Sequence, residues 1–441
     1  MALKSFSDAL EWLDSHIDYE RVAPNRQVVP TLQPIHDFLA ALGDPHRDFP
    51  SIHVTGTNGK GTTTTLISAL LSSSGLRVGT VTSPDLHSVT ERIAVAAEPI
   101  GEEEFTAVMS RLADVEVATG IVLTRFELLT VGAFLHFSDE GVTAAVIEVG
   151  LGGTWDSTNV IDGVVSVLTN VDLDHVAVLG PTIGDIARDK VGIFRSGAAA
   201  VLGTTNKEVV TIAQSACNDL GATLYRAGEQ FELVQNDVAV GGRLVSVRTP
   251  FSQYDDVLLR LHGIHQGDNA ATALSAAELF LGRKLGERTV RMTFAAATMP
   301  GRLEVLSTRP MIVVDGAHNP AGVQALANAL DGAFYVEGER RCVIGMLTGR
   351  NVDDMVAPLI DSGVSEFFCA PPDSPRAMAT SLVVEALRSR GATAYEFTNV
   401  LAAISTAREH SNEDDLIVAA GSLYLVGEVR ALILGLEPRI G

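Results

Sequence analysis

The chain has 441 residues, too many for one ordinary domain, and implies two or three. Hydrophobic residues make up 46% and charged residues 20%, a balance that excludes a disordered chain and provides a sizeable core. With 54 acidic residues against 32 basic ones the formal net charge is -22, which excludes nucleic acid and anionic membranes as partners and requires any anion site to be locally basic or bridged by a metal; a salt-adapted host would explain the same acidity.

At the N-terminus Asp8, Glu11 and Asp14 interrupt any apolar run, so no signal peptide is expected. Phe6, Leu10, Leu13 and Ile17 fall on one face of a helix over 6–17, and Ser5 with Asp8 forms a capping-box pattern. A regular alternation starts at residue 51: a strand over 51–55, a glycine-rich loop over 56–61, a helix over 62–74 stopped by Gly75, and a strand over 77–82. Further buried strands are expected at 143–149, 164–169 and 198–202, with helices between them, notably 182–194. Such alternation predicts a parallel sheet covered on both faces. Residues 222–260 carry short alternating pieces, at 244–247 and 257–261, that read as a small antiparallel excursion. An alanine-rich helix over 266–281 follows, and the chain turns at Pro300-Gly301. A second alternating block has strands near 311–314, 342–346, 366–369, 393–397 and 416–420, which places a domain boundary at about 298. The apolar stretch 416–434 is broken by Glu428 and Arg430 and reads as strand, glycine turn and helix, not as a membrane span. Cys217, Cys342 and Cys369 are far apart and odd in number, so buried thiols in a reducing cytosol are expected.

The loop Gly56-Thr57-Asn58-Gly59-Lys60-Gly61-Thr62 lies between strand and helix, which suits a nucleoside triphosphate. Glycines let backbone N–H groups approach phosphate oxygens, the helix N-terminus adds a favourable dipole, Lys60 offers a point charge to the β/γ-phosphates, and the Thr62 hydroxyl can bind Mg2+. The strict Walker pattern is absent: Val54 stands where it needs glycine, and Gly61 separates Lys60 from Thr62. An ordinary glycine turn capping a helix is the competing reading.

With glycine after the lysine, this loop resembles that of the Mur ligase superfamily. Further segments resemble its folylpolyglutamate/dihydrofolate synthase branch: Thr82-Ser83-Pro84 with Glu91-Arg92-Ile93, the run 126–130, Glu148 to Gly153 with Asp156 to Asn159, and Leu173-Asp174-His175. The same holds for Asp189 to Ile193, Leu261 to Asn269, Pro300-Gly301-Arg302, Asp315 to Pro320, and Gly421 to Tyr424. Their shared order runs through almost the whole chain. The start of the chain offers no extra nucleotide-sugar-binding domain, which favours the folate branch over cell-wall ligases. Two positions depart from the family: Asp85 stands where many members have histidine, and Trp155 where a smaller or basic residue is common. Both bear on pterin specificity more than on ligase chemistry.

The resemblance implies an α/β fold with a P-loop-containing parallel-sheet domain over 1–297 and a smaller Rossmann-like α/β domain over 298–441. It implies a cytoplasmic, monomeric ligase that uses ATP to join L-glutamate to dihydropteroate, to the γ-carboxylate of a folate, or to both, through an acyl phosphate. Glu148 closes an apolar strand, where a lone carboxylate is costly without a metal or a partner; by resemblance it binds Mg2+ on the Thr62 side. His175 is implied as a ligand of a second Mg2+ with Ser83 near, although a histidine ligand also suits Mn2+. Lys190 is implied to be carbamylated, which converts a cation into an oxygen donor; the bland alternative is a surface lysine paired with Asp185 or Asp189. Asn269 and Arg302 are implied to contact adenine and phosphates, and Asp315 and His318 to reach ribose and phosphates. Asp315 or Asn319 would otherwise simply cap a helix from Pro320. Two other readings stand beside this one: another ligase of the superfamily with a different acid and amino acid, and a P-loop switch protein that hydrolyses nucleotide without ligation.

Overall fold

A computed structural model describes residues 3–19 and 31–436. Short strands buried along their whole length, such as β1 (Ser51–Thr55), pair as a parallel sheet. The others of that sheet are β2 (Val78–Val81), β3 (Ile93–Val95), β4 (Glu98–Pro99), β5 (Ala144–Glu148), β6 (Val165–Leu168), β7 (Ala199–Leu202) and β8 (Thr223–Arg226). Their order is β4-β3-β2-β5-β1-β6-β7-β8, with parallel pairing except where the reversed strand β3 meets β2 and β4. Complete burial of β1, β5 and β6 follows from helices on both faces. On one face lie the helices Glu102–Thr119 and Arg125–Asp139; on the other the helix Lys60–Ser72 packs against the alanine-rich helix His265–Leu281.

The antiparallel excursion is narrower than the 222–260 expected, since 223–226 joins the large sheet as the parallel strand β8; it comprises three strands, β9 (Glu232–Ala239), β10 (Gly242–Arg248) and β11 (Gln253–Leu259), with β10 central. A six-stranded sheet then comprises β12 (Glu304–Thr308), β13 (Met311–Val314), β14 (Arg340–Ile344), β15 (Val364–Cys369), β16 (Thr393–Glu396) and β17 (Leu416–Ala420). It runs β12-β13-β17-β14-β15-β16, with only β12 antiparallel. Among the described residues no helix is long and apolar enough to cross a membrane. The stretch at 416–434 is indeed strand, turn and the helix Leu423–Leu434.

Local expectations differ from the structure in a few places. The first helix, Phe6–Asp14, has its Ser5/Asp8 capping box but ends before Ile17, which is 60% exposed. The helix expected over 182–194 is Ile183–Lys190 followed by a 3-10 turn, Val191–Ile193. All three cysteines are buried and unpaired.

Register builds the site. Val54 pairs with Glu148, Thr55 with Leu168, and Val81 with Ile147, so four carboxyl strand ends come side by side. Loops leaving these ends meet at one place, as expected for an open α/β sheet.

Candidate functional site

Gly56 opens the phosphate loop at φ +154, where a Cβ would fall 1.8 Å from the Thr169 hydroxyl oxygen; only glycine fits. The segment after β6 clamps the loop. Thr57 N donates to Asn170 O at 2.9 Å, Asn58 N donates to Asn170 Oδ1 at 2.8 Å, and Thr169 Oγ1 donates to Asn58 O at 2.7 Å. Gly59, at φ +80, lies against Asn269, whose Oδ1 would be 2.3 Å from a Cβ there. Asn269 itself donates to Gln266 Oε1 at 2.9 Å.

Lys60 begins the helix behind the loop, and its ammonium donates to Gly56 O at 3.1 Å and Thr57 O at 3.3 Å. Lys190 donates to the same Gly56 carbonyl at 2.8 Å and is 4% exposed. The surface alternative for Lys190 therefore fails on burial; of its two expected partners Asp185 pairs with Arg188, while Asp189 still attracts the ammonium. Burial pushes Lys190 down to about 7, helped by the positive charge of Lys60. Lys60 is lowered by burial too, against the pull of Glu148.

Glu148 is 3% exposed and accepts Ser83 N at 3.1 Å through Oε2. Burial raises its carboxyl to about 7, opposed by Lys60 and by the Ser83 amide. A Cβ on Gly61 would sit 3.5 Å from this carboxylate, so the glycine after Lys60 brings bare backbone up to the acid. Thr62, 4% exposed, is on the same first helical turn. Glu148, Thr62 and Ser83 offer oxygen donors suited to a hard divalent cation. Among the described residues no group of three His, Cys, Asp or Glu side chains could hold a metal unaided.

His175 has a left-handed backbone, φ 50, and its N donates to Asp174 Oδ1 at 2.8 Å. Packing around its ring lowers it from the usual imidazole value, opposed by Asp174, although the side chain is 43% exposed. Asp174 also takes an ion pair from Arg350 and a 2.9 Å hydrogen bond from Asn319 Nδ2, and lies 3.8 Å from His318 Nε2. Burial alone would raise Asp174, but His175, Arg350 and His318 hold it well below the usual carboxylate range.

From the six-stranded unit come Arg302, Asp315 and His318. Asp315, 8% exposed, accepts Leu303 N and Ala317 N, each at 2.8 Å, and burial raises its carboxyl. It does not cap the helix Pro320–Gly332; Asn319 does, through Oδ1 to Gly322 N at 2.8 Å. His318 Nδ1 meets Gly316 O at 2.8 Å, so that nitrogen carries the proton and Nε2 keeps its lone pair. Arg302 packs against Gly316, and its charge is felt by Lys60, Glu148 and Asp315.

The structure thus gathers the loop 56–62 with Ser83, Glu148, His175, Lys190, Asn269, Arg302, Asp315 and His318 around the carboxyl ends of the strands. The departing residue Asp85 forms a fully buried ion pair with Arg92, while Trp155 is 52% exposed. Reasoning from sequence passed over Asp174, Asn319 and Arg350 as site residues. Asp174 stood beside His175 in a noted motif; nothing local marked Arg350.

Residues 54–277 match the Mur ligase middle domain, and residues 301–423 match the Mur ligase, glutamate ligase domain. The chain is 36% identical over 368 residues to a Mycobacterium tuberculosis dihydrofolate synthase/folylpolyglutamate synthase, covering 77% of this chain and 75% of that one. The structure of Mycobacterium tuberculosis folylpolyglutamate synthase complexed with ADP superposes with a TM-score of 0.90 at 32% identity, covering 98% of this chain and 99% of that one. A bifunctional folylpolyglutamate synthase/dihydrofolate synthase with Mn, AMPPNP and L-glutamate bound gives 0.85 at 28% identity, covering 98% and 99%.

Proposed function

The chain belongs to the Mur ligase family, in its dihydrofolate synthase/folylpolyglutamate synthase branch, and from this premise we propose that it joins L-glutamate to dihydropteroate, to the γ-carboxylate of a folate, or to both, with ATP converted to ADP and phosphate. The observation that carries the reading is the convergence of Lys60, Lys190 and Glu148 on one phosphate loop, with Asn319 of the second sheet unit bonded to Asn58 of that loop and His318 beside Asp174. We divide the chain at residue 298, so that the nucleotide lies between the two parts.

Loop amides, Lys60 and the helix N-terminus hold the β/γ-phosphates. Thr62, Ser83 and Glu148 would hold Mg2+ or Mn2+, with His175 and Lys190 at a second ion. Bound there, a divalent ion supplies charge that offsets the phosphates and the charge developing during transfer. A substrate carboxylate oxygen attacks the γ-phosphorus as the bond to the ADP oxygen breaks. The amine of glutamate then attacks the acyl carbon, phosphate leaves, and the amine loses a proton. Residues 56–62 orient the phosphates, and Asn319 beside Asn58 helps keep water from the acyl phosphate. Asn269 and Arg302 are assigned to adenine and phosphates, His318 to the ribose and phosphate side. Asp315, with both oxygens engaged by backbone amides, supports the turn that carries His318.

Carbamylation of Lys190 belongs to the same reading. Two lysines donate to one carbonyl, so their charges repel; a carbamate on Lys190 would turn that repulsion into attraction. The deciding experiment is ADP release with glutamate plus dihydropteroate, then with glutamate plus tetrahydrofolate. Release should require glutamate and at least one of the two acids; turnover indifferent to both would sink the assignment.

A further inference from the structure

We propose that Asp174 is a positioning residue that fastens the six-stranded unit onto the phosphate loop and thereby sets His175. This rests on the ligase reading above and extends it to a residue outside the nucleotide contacts. Asp174 follows β6 and its side chain is 6% exposed. One oxygen, Oδ1, takes the Arg350 guanidinium and the His175 amide; the other, Oδ2, takes Asn319 Nδ2 at 2.9 Å. Arg350 and Asn319 both belong to the six-stranded unit, one between β14 and the helix Val352–Asp361, the other at the start of the helix Pro320–Gly332.

Asn319 is committed on every side. Its Nδ2 donates to Asp174 and, at 3.0 Å, to Asn58 Oδ1 of the phosphate loop, while its Oδ1 caps its own helix; the residue is 1% exposed. Asn58 is in turn fixed by Asn170 and Thr169. These bonds exist only with the two units in this relative position, so they form and break together. A charge-assisted pair inside such a cluster carries more than a surface pair. Because the same carboxylate holds the His175 amide in its left-handed turn, fastening the units and setting His175 are one event.

The test uses the full chain with Asp174→Asn, Arg350→Gln, both together, and Asn319→Asp, which keeps the helix cap but removes the donor. Glutamate-dependent ADP release gives kcat and KM; small-angle scattering with saturating Mg2+ and AMPPNP gives compaction. Each single variant should lower kcat/KM for ATP by at least about tenfold, and the double should be no worse than the worse single. Arg350→Lys should restore part of the loss, and the singles should stay expanded with nucleotide where wild type compacts. Losses that multiply in the double variant, or wild-type compaction in Asp174→Asn and Asn319→Asp, would overturn the proposal. If wild type releases ADP without acid or glutamate, the ligase reading fails instead, and scattering still decides the fastening.

Discussion

Lys190 and Lys60 share the carbonyl of Gly56, which holds the two amines side by side in a buried setting. An amine that burial brings to about 7 is largely unprotonated in mildly alkaline solution and able to add carbon dioxide. In 13C-bicarbonate a carbamate resonance should appear in wild type and vanish in Lys190→Ala, whose turnover should fall by about a hundredfold or more; an unlabelled, fully active wild type would remove carbamylation from the mechanism. His53 makes a separate case in the sheet interior. Thr158 Oγ1 already donates to Asp156, so His53 Nε2 must donate to Thr158, and His53 Nδ1 is left without a partner. Burial, then Arg195, lowers the ring to about 3. Between that value and 6.5 the unfolded chain binds the extra proton and the folded chain does not, so stability rises with pH across this window and is lost as pH falls through it. Urea midpoints from pH 6.5 down to 3 should slope less in His53→Gln, by up to roughly 4 kcal/mol at the acid end. The phosphate-loop lysine and the acid at 148 were legible in sequence because each breaks a local pattern: a glycine run and an apolar strand. Asp174, Asn319 and Arg350 were not, because their meaning is a contact between segments up to 261 residues apart.

Elements were legible to the degree that burial made their sequences uniform. Strands β1, β5, β6, β13 and β17 are short, β-branched-rich and almost wholly buried within parallel sheets, and were expected nearly to the residue. Strands β3, β4 and β12 were not expected. They are antiparallel pieces with short or half-buried faces, which leave no long apolar run. The helix Arg125–Asp139 shows what a cap adds to a buried segment. Thr124 accepts Glu127 N, and the Glu127 carboxylate accepts Thr124 N at 2.7 Å. Thr124→Ala should lower stability by about 1–2 kcal/mol in urea unfolding, with kcat unchanged; a drop in kcat at full folding would show that this helix does more than support the sheet.

At the scale of the molecule, two sheet units are joined by more than the cluster at Asp174. The loop after β2 sends Leu86 into the apolar cluster of the six-stranded unit, beside Val426, Ile312 and Leu423. Glu91 steadies that excursion by accepting Leu86 N at 2.8 Å, and the buried Asp85–Arg92 pair lies at its base. Leu86→Ala should destabilise by roughly 2–3 kcal/mol and split calorimetric unfolding into two transitions; a single transition at the wild-type temperature would show that the units melt together for other reasons. This coupling was not visible in the sequence, where Asp85 registered only as a departure from the family pattern.

The same loop donates Ser83 N to the carboxylate of Glu148 at its other end. Three residues of chain therefore tie this buried acid to a plug seated in the neighbouring unit. Displacing Leu86 from its seat should therefore also loosen the Ser83 bond to Glu148, although plug and acid lie in different units.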